Sequence, residues 1–555
     1  MLTLVWRLVR FFALLPWTLM RAGFDRVRPR PIVLELLLDG RHSLRAAQGA
    51  PWSQRRDGLS RLGLERALRA ARRDARVGTV LVRIGHLRGG WADAGALRAQ
   101  VAAMRGDGRR VVAYLHHTDL RALWVASACD EVWASPNGVV GAAGLGIEQL
   151  YWGETLSRVG VGLDVVTAGA FKSAMEPLTR TAPTPENREA LEALVGDLAE
   201  RVVADIAAGR ALELDAVRAA LDASPLVPED ARARGLVSAL VAEDDLRDTL
   251  DMGPKGKARR VRAEHYRGRP HPLPRLLPRR PALALVEVHG AIRDGGLDED
   301  APPSDVGAST QAVCQALERA AKTKRVRGVL LHINSPGGSA TASERMWRAV
   351  RAVAEKKPVI ALMGDVAASG GYYVASAAHG VVAAPGTLTG SIGVLSAKPV
   401  VEDLLARVGV HVHRVERGER ASMFSLTRRY GEGERTALER TIAHVYALFL
   451  KRVAEGRGRS VSEVEPHAQG RVWTGAQAAE RGLVDRLGYD AEALAWLGER
   501  TGVDPARGFL VFTPKRPWLR RMLGRVGVAM ESLAAIDAVA RADGPQAWCG
   551  VRWSD

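Results

Sequence analysis

The amino-acid sequence predicts an α/β protein built as two tandem repeats, each a mainly parallel sheet with flanking helices. Two observations carry that expectation. The first is self-similarity: T-V-L-V-R-I-G-H-L-R-G-G at residues 79–90 faces V-L-L-H-I-N-S-P-G-G ending at Gly338, and Arg110-V-V-A-Y-L faces Pro358-V-I-A-L-M, both at an offset of 248. The offset then becomes 249, with Val125-A-S-A facing Val374-A-S-A, Ala134-S-P facing Ala383-A-P and Gly141-A-A-G facing Gly390-S-I-G. The second is alternation of short Val/Leu/Ile runs with Ala/Leu/Arg/Glu stretches of helical period, such as residues 93–104 and 342–354, which is the pattern of βαβ units around a buried sheet.

In chain order, residues 1–30 open with MLTLVWRLVRFFALLPWTLM, in which Arg7 and Arg10 interrupt the apolar residues and the cleanest run, residues 11–20, contains Pro16. That run is far short of the roughly 20 residues a membrane span needs, so the segment reads either as a signal-peptide h-region or, the reading favoured by its poor match to a cleavage site, as an uncleaved membrane-associating anchor lying at the lipid surface. Residues 31–252 form the first repeat, closing with Arg234-G-L-V. The Pro/Gly/Arg-rich stretch 253–280 reads as an exposed linker, and residues 281–508 form the second repeat, closing with Arg481-G-L-V-D. After a strand-like F-L-V-F-T, residues 509–555 read as a basic tail.

Composition narrows the function classes. No apolar run supports a multi-span membrane protein, and Cys129, Cys314 and Cys549 lie too far apart for a disulfide framework or a cysteine zinc site. The net charge of +17 is concentrated at the N-terminus and around residues 255–280 and 515–525, outside the segments that read as folded core. That placement suits a lipid surface as partner better than nucleic acid. No His/Asp/Glu cluster has metal-ligand spacing, and nothing calls for a cofactor.

The two copies differ where chemistry is expected. In the second, the strand over residues 359–363 runs into Gly364-D-V-A-A-S-G-G-Y-Y, which puts Ser369 at a strand-to-helix turn before an apolar helix over residues 372–378, whose apolar residues read as helping to line an apolar substrate pocket. Amides at that helix start, and those of the loop Ser335-P-G-G-S, can approach a substrate carbonyl and donate to an oxyanion. In the first copy the matching stretch, His116-H-T-D-L-R-A-L-W, has neither the serine nor the glycine pair.

A serine nucleophile needs a base. His379 reads as a helix-end residue, His411 and His413 as alternating positions of a strand, and His332 and His289 as strand histidines, so no Ser-His-Asp set emerges. Ten of the 79 basic residues are lysines, and Lys172 is the only one before Lys255. An arginine cannot give up its proton, whereas a lysine flanked by Ala170, Phe171 and Met175 can be desolvated into a neutral base. At the offset of 249, Lys172 falls on Ala421 and Ser173 on Ser422. Copy one thus keeps the lysine without the serine, copy two the serine without the lysine, and a Ser369–Lys172 site has to draw on both.

With N-S-P-G-G-S, A-A-S-G-G-Y, T-L-T-G-S-I-G, the F-K-S-A-M-E-P segment and W-T-G-A-Q-A-A-E-R-G-L-V-D, the chain resembles the bacterial signal peptide peptidase SppA (protease IV) family in its long two-repeat form, over nearly its whole length. The resemblance implies Clp/crotonase-like repeats and a Ser-Lys serine peptidase that degrades signal peptides already released into the membrane. Ser369 is then the nucleophile, Lys172 the general base, Ser391 a hydroxyl orienting the lysine amine, and Gly338 and Gly370 the oxyanion donors. It further implies a homotetramer at the bacterial inner membrane with its catalytic domains on the periplasmic side. The competing readings are a crotonase-like acyl-CoA thioester enzyme, which needs no Ser-Lys pair, and a catalytically silent membrane scaffold, which has no reason to keep both groups.

Overall fold

The computed structural model describes residues 30–45, 59–252, 258–266, 281–295, 307–505, 509–512 and 546–548. Nearly all of the anchor expected over 1–30, and most of the tail expected over 509–555, lie outside the described residues. Among the described residues, no helix is long and apolar enough to cross a membrane.

The chain divides into two compact units, residues 1–145 with 199–280, and residues 146–198 with 281–555. The division in space therefore differs from the repeat boundary in sequence: residues 146–198 of the first copy pack with the second.

The first unit is a six-stranded parallel sheet in the order β6-β4-β3-β2-β1-β7, formed by β1 (Ile32–Gly40), β2 (Val77–Leu87), β3 (Arg110–Asp119), β4 (Glu131–Gly141), β6 (Ala239–Leu240) and β7 (Arg259–Arg262). The helical pattern at 93–104 is the helix Trp91–Arg105. Val33, Leu81, Val112, Tyr114 and Trp133 form an apolar layer on this sheet with Leu246 and Leu250. β7 falls inside the stretch that reads as linker. Its R-R-V-R sequence lacks the apolar run of a core strand, but an edge strand needs only backbone partners, and buried Glu35 on β1 takes the Arg260 guanidinium at 2.7 Å.

The second unit repeats the plan. β8 (Ala282–His289), β11 (Val326–Ser335), β13 (Val359–Ala368) and β15 (Leu388–Gly390) pair in parallel, with β19 (Phe509–Val511) beside β8, β14 (Gly380–Ala383) beside β13, β18 (Arg486–Leu487) beside β14 and β17 (Val472–Thr474) antiparallel to β15. All but two residues of β11 are buried, as its near-continuous apolar run requires for a strand covered on both faces. The helix Ala340–Ala354 is capped by Ser339, whose hydroxyl accepts from Ala342 N at 3.2 Å. A second, mostly antiparallel sheet runs β10-β9-β12-β20-β16-β5, with β10 (Ala308–Ser309), β9 (Ile292–Arg293), β12 (Gly337–Ser339), β20 (Gln546–Trp548), β16 (Val394–Val400) and β5 (Gly162–Ala168). Its β5, from copy one, pairs over its full length with β16 of copy two.

Candidate active site

Strand register brings three polar side chains together. Ala368, the end of β13, is paired with Gly390, the end of β15, so Ser369 and Ser391 leave neighbouring strands side by side. In the β5–β16 ladder Ala168 stands opposite Val394; continuing forward from Ala168 the chain reaches Lys172, and stepping back from Val394 it reaches Ser391. The result is a buried cluster in which Lys172 Nζ lies 2.8 Å from Ser369 Oγ and 3.0 Å from both Ser391 Oγ and the Ser391 carbonyl oxygen. Lys172, Ser369 and Ser391 are 6%, 0% and 2% exposed.

Ser369 is held in an unusual backbone conformation, φ 54° and ψ −118°, immediately before the helix Gly370–Ala375. A side-chain-bearing residue there costs about 1–3 kcal/mol and persists only when its surroundings fix it. Here the Ser369 amide donates to Gly390 O at 2.8 Å and its carbonyl accepts from Tyr373 N at 2.8 Å. Gly370 begins the helix, so its N–H has no intrahelical acceptor. Gly338, at φ 146°, places its amide nitrogen 3.4 Å from where a Gly370 Cβ would stand. The two glycines expected as oxyanion donors are therefore neighbours beside Ser369.

The surroundings depart from the sequence expectation in three respects. Of the residues flanking Lys172, Met175 is buried and Phe171 half-buried, but Ala170 is exposed, so the lysine does not sit in a uniformly apolar loop. The apolar residues 372–378 do not line a cleft: they sit inside the main core cluster, and the Tyr372 hydroxyl donates to Leu483 O at 2.8 Å. His411 and His413 are exposed and lie on no strand, because the V-H-V-H alternation has no neighbouring strand to pair with. His379 lies in the bend between the helix Gly370–Ala375 and β14, where its Nδ1 accepts from Val359 N at 3.1 Å and burial pushes its imidazole below the ordinary value. Burial likewise pushes the Cys129 thiol up to about 12, which leaves it inert as a nucleophile.

Two supporting groups escape sequence reading. Glu176, in the K-S-A-M-E-P segment, accepts from Thr184 N at 3.0 Å, Thr184 Oγ1 at 2.7 Å and Asn187 Nδ2 at 2.9 Å, while Ser173 Oγ donates to Asn187 Oδ1 at 3.0 Å. These bonds close the loop that carries Lys172. Behind Ser369, the Tyr373 hydroxyl donates to Glu344 Oε2 at 2.7 Å, and Arg452 bonds the same carboxylate at 2.7 and 3.1 Å. The only sequence signal for either was the presence of an acidic residue in a mostly apolar helical or loop segment.

Comparison with known proteins fits this geometry. The model of Peptidase family S49 matches residues 103–255 and 351–504, once in each copy, and that of Clp protease matches residues 305–387. The chain is 30% identical over 451 residues to the chloroplastic serine protease SPPA of Arabidopsis thaliana, covering 80% of this chain and 66% of that one. It is 31% identical over 420 residues to Protease 4 of Haemophilus influenzae, covering 71% and 65%, and 31% identical over 447 residues to Protease 4 of Salmonella typhi, covering 78% and 71%. The chain thus spans about two thirds of the length of these relatives. The duplicated match and the parallel sheets bear out the reading of two Clp-like α/β repeats, and the chain belongs to peptidase family S49 in its two-repeat, SppA-like form.

Proposed function

We propose that this chain is a serine endopeptidase in which Ser369 is the nucleophile and Lys172 its general base. The observation that carries the reading is the 2.8 Å separation of Lys172 Nζ and Ser369 Oγ in a buried site. Burial penalises the ammonium relative to the amine, and a free amine can take the serine proton. Ser369 Oγ then bonds the scissile carbonyl carbon while its proton passes to Nζ, and the amides of Gly338 and Gly370 stabilise the carbonyl oxygen as it gains charge. The proton on Nζ next goes to the leaving amine, breaking the peptide bond and leaving an ester on Ser369. A water molecule, giving its proton to Nζ, hydrolyses that ester and restores the serine. Ser391 holds the amine at both of its oxygens. A thioester enzyme of the crotonase type needs no such lysine, and this disfavours that alternative.

The substrate class follows from the neighbourhood of the nucleophile. Ala368 belongs to an apolar cluster with Leu194, Leu388 and Val472, against which Ile147, Leu191 and Val366 pack only partly buried. An extended segment is also accommodated beside the oxyanion glycines, because β20 pairs antiparallel with β12 through Gly337, Gly338 and Ser339. Both features favour extended apolar peptides, the chemistry of released signal peptides. With the cationic N-terminal sequence, they favour work at the lipid surface of a bacterial inner membrane, on its periplasmic side, by a homotetramer of the kind the family resemblance implies.

The test is hydrolysis of fluorogenic peptides that differ in side chain at the cut. Ser369→Ala and Lys172→Arg should both lose turnover by about 10³-fold or more while remaining folded, since arginine cannot act as a base. Near-normal activity of Lys172→Arg, or a preference for charged residues at the cut, would overturn the reading. Release of the full chain from membranes by high salt supports surface attachment; retention until detergent is added contradicts it.

A further inference from the structure

The segment Gln469–Gly470–Arg471 precedes β17 and touches both sides of the lysine–serine cluster through its backbone. Gln469 O accepts from Phe171 N at 2.8 Å, on the residue before Lys172. Gly470 N donates to Ile392 O at 2.8 Å, and Arg471 O accepts from Ser391 N at 2.7 Å. Three consecutive residues therefore tie the chain that delivers the amine to the chain that delivers its acceptors. The approach is as close as backbone allows: a Cβ on Gly470 would stand 2.7 Å from Lys172 N and Cβ and 2.8 Å from its Cα, and Gly470 has φ 77°, where only glycine is unstrained. Gly169 and Gly393 meet the same segment, since a Cβ on Gly169 would stand 2.5 Å from Gln469 C, and one on Gly393 2.8 Å from Gly470 Cα.

The segment is also anchored from behind. Arg471 lies over the Phe171 ring at 4.8 Å and the Trp473 ring at 4.4 Å, and pairs with Glu189 at 2.5 Å. The Tyr446 hydroxyl accepts from Gln469 N at 3.2 Å. Nothing in the segment reaches the Ser369 hydroxyl, so its influence passes through Lys172 and Ser391.

We infer that Gln469–Arg471 is a positioning element for the dyad, a backbone spacer that sets the depth at which the Lys172 amine meets Ser369. The inference rests on the dyad reading above. A methyl group on Gly470 must push the Lys172 backbone away, and a displacement of about 1 Å at a reacting group can cost about 100-fold in rate.

The experiment compares Gly470→Ala with Gly458→Ala in the full chain. Gly458 shares the left-handed backbone, at φ 62°, but has open space where its Cβ would go, so it controls for backbone strain alone. Gly470→Ala is expected to lower kcat about 100-fold with KM little changed and to displace the rising limb of the kcat–pH profile, while Gly458→Ala keeps the parent kcat and profile. A folded Gly470→Ala enzyme with parent kcat and pH profile overturns the inference, as does an equal loss in Gly458→Ala. If Gly470→Ala does not fold, Phe171→Leu decides: removing the ring under Arg471 should lower kcat and move the same limb, and an unchanged profile overturns the inference. The dyad reading fails separately, by activity in Lys172→Arg.

Discussion

Replacing Ser391 by alanine tests how the amine is aimed. A neutral amine has two N–H bonds and one lone pair, and Ser369 Oγ and both Ser391 oxygens lie 2.8–3.0 Å from Lys172 Nζ. If Ser391 Oγ and Ser391 O take the two protons, the lone pair is left facing the Ser369 hydroxyl. Deleting Oγ removes one acceptor in a buried site, a loss of about 1–3 kcal/mol for a buried donor left unsatisfied. Where that loss falls on the aimed amine, kcat drops about 5- to 140-fold at about 1.4 kcal/mol per decade. The loss stays well short of that in Ser369→Ala because the Ser391 carbonyl still holds the amine. The sign of the pH effect follows from the same geometry. A charge-assisted bond is stronger than a neutral one, so Oγ stabilises the ammonium more than the amine, and its removal should move the rising limb of kcat to lower pH. Steady-state kcat and KM for one apolar fluorogenic peptide across a pH series, beside thermal unfolding, measure all three quantities. An unchanged kcat, a loss as deep as that of Ser369→Ala with an unaltered Tm, or a limb that moves to higher pH would refute the reasoning.

Two further outcomes are expected. Burial pushes the Glu344 carboxyl up, but the bonds from Arg452, Arg348 and Tyr373 outweigh it and hold the group below the usual carboxylate range. Its stabilisation is therefore present above the unfolded value and lost as pH falls through the folded one. Glu344→Gln should cost about 1.5–3 kcal/mol in urea unfolding at neutral pH, with the gap closing on acidification; a gap that widens in acid contradicts this. Because β20 uses the edge of β12 that an extended substrate would use, Ala547→Pro, at the position facing Gly338, should free that edge and lower KM severalfold at constant kcat. An increased KM would instead make β20 part of the substrate site.

Much of the fold was legible because each core strand and helix advertises itself locally. The apolar runs at residues 79–84 and 329–333 are β2 and β11, and the helical period at 342–354 is the helix Ala340–Ala354. What failed to show was pairing between distant segments. Nothing in G-L-D-V-V-T-A marks β5 as a partner for β16 rather than for a strand of its own copy, because antiparallel register is set by the partner and not by the strand. His411 and His413 illustrate the converse error, since alternation predicts a strand only where an edge is free to receive it. Gly470 was likewise silent: a glycine beside V-W-T-G reads as a turn, and its real constraint is a contact with Lys172 almost three hundred residues earlier.

The division of labour between the copies has a physical basis in the same exchange. Lys172 is buried because β5 carries it along β16 to the serines, whereas its counterpart Ala421 lies exposed in a turn. A lysine at 421 would keep its solvation, stay charged and be useless as a base. In the first unit the turn that matches Ser369 is Asp119–Leu120, where Asp119 Oδ1 caps the helix Leu120–Ala126 by accepting from Ala122 N at 2.7 Å. With no amine delivered to it, a serine at that turn would gain nothing from the strained backbone that Ser369 requires, and an ordinary capping aspartate stabilises the helix better. On the proposed dyad, a serine in copy one and a lysine in copy two would have no chemical partner, which fits a sequence that holds one of each.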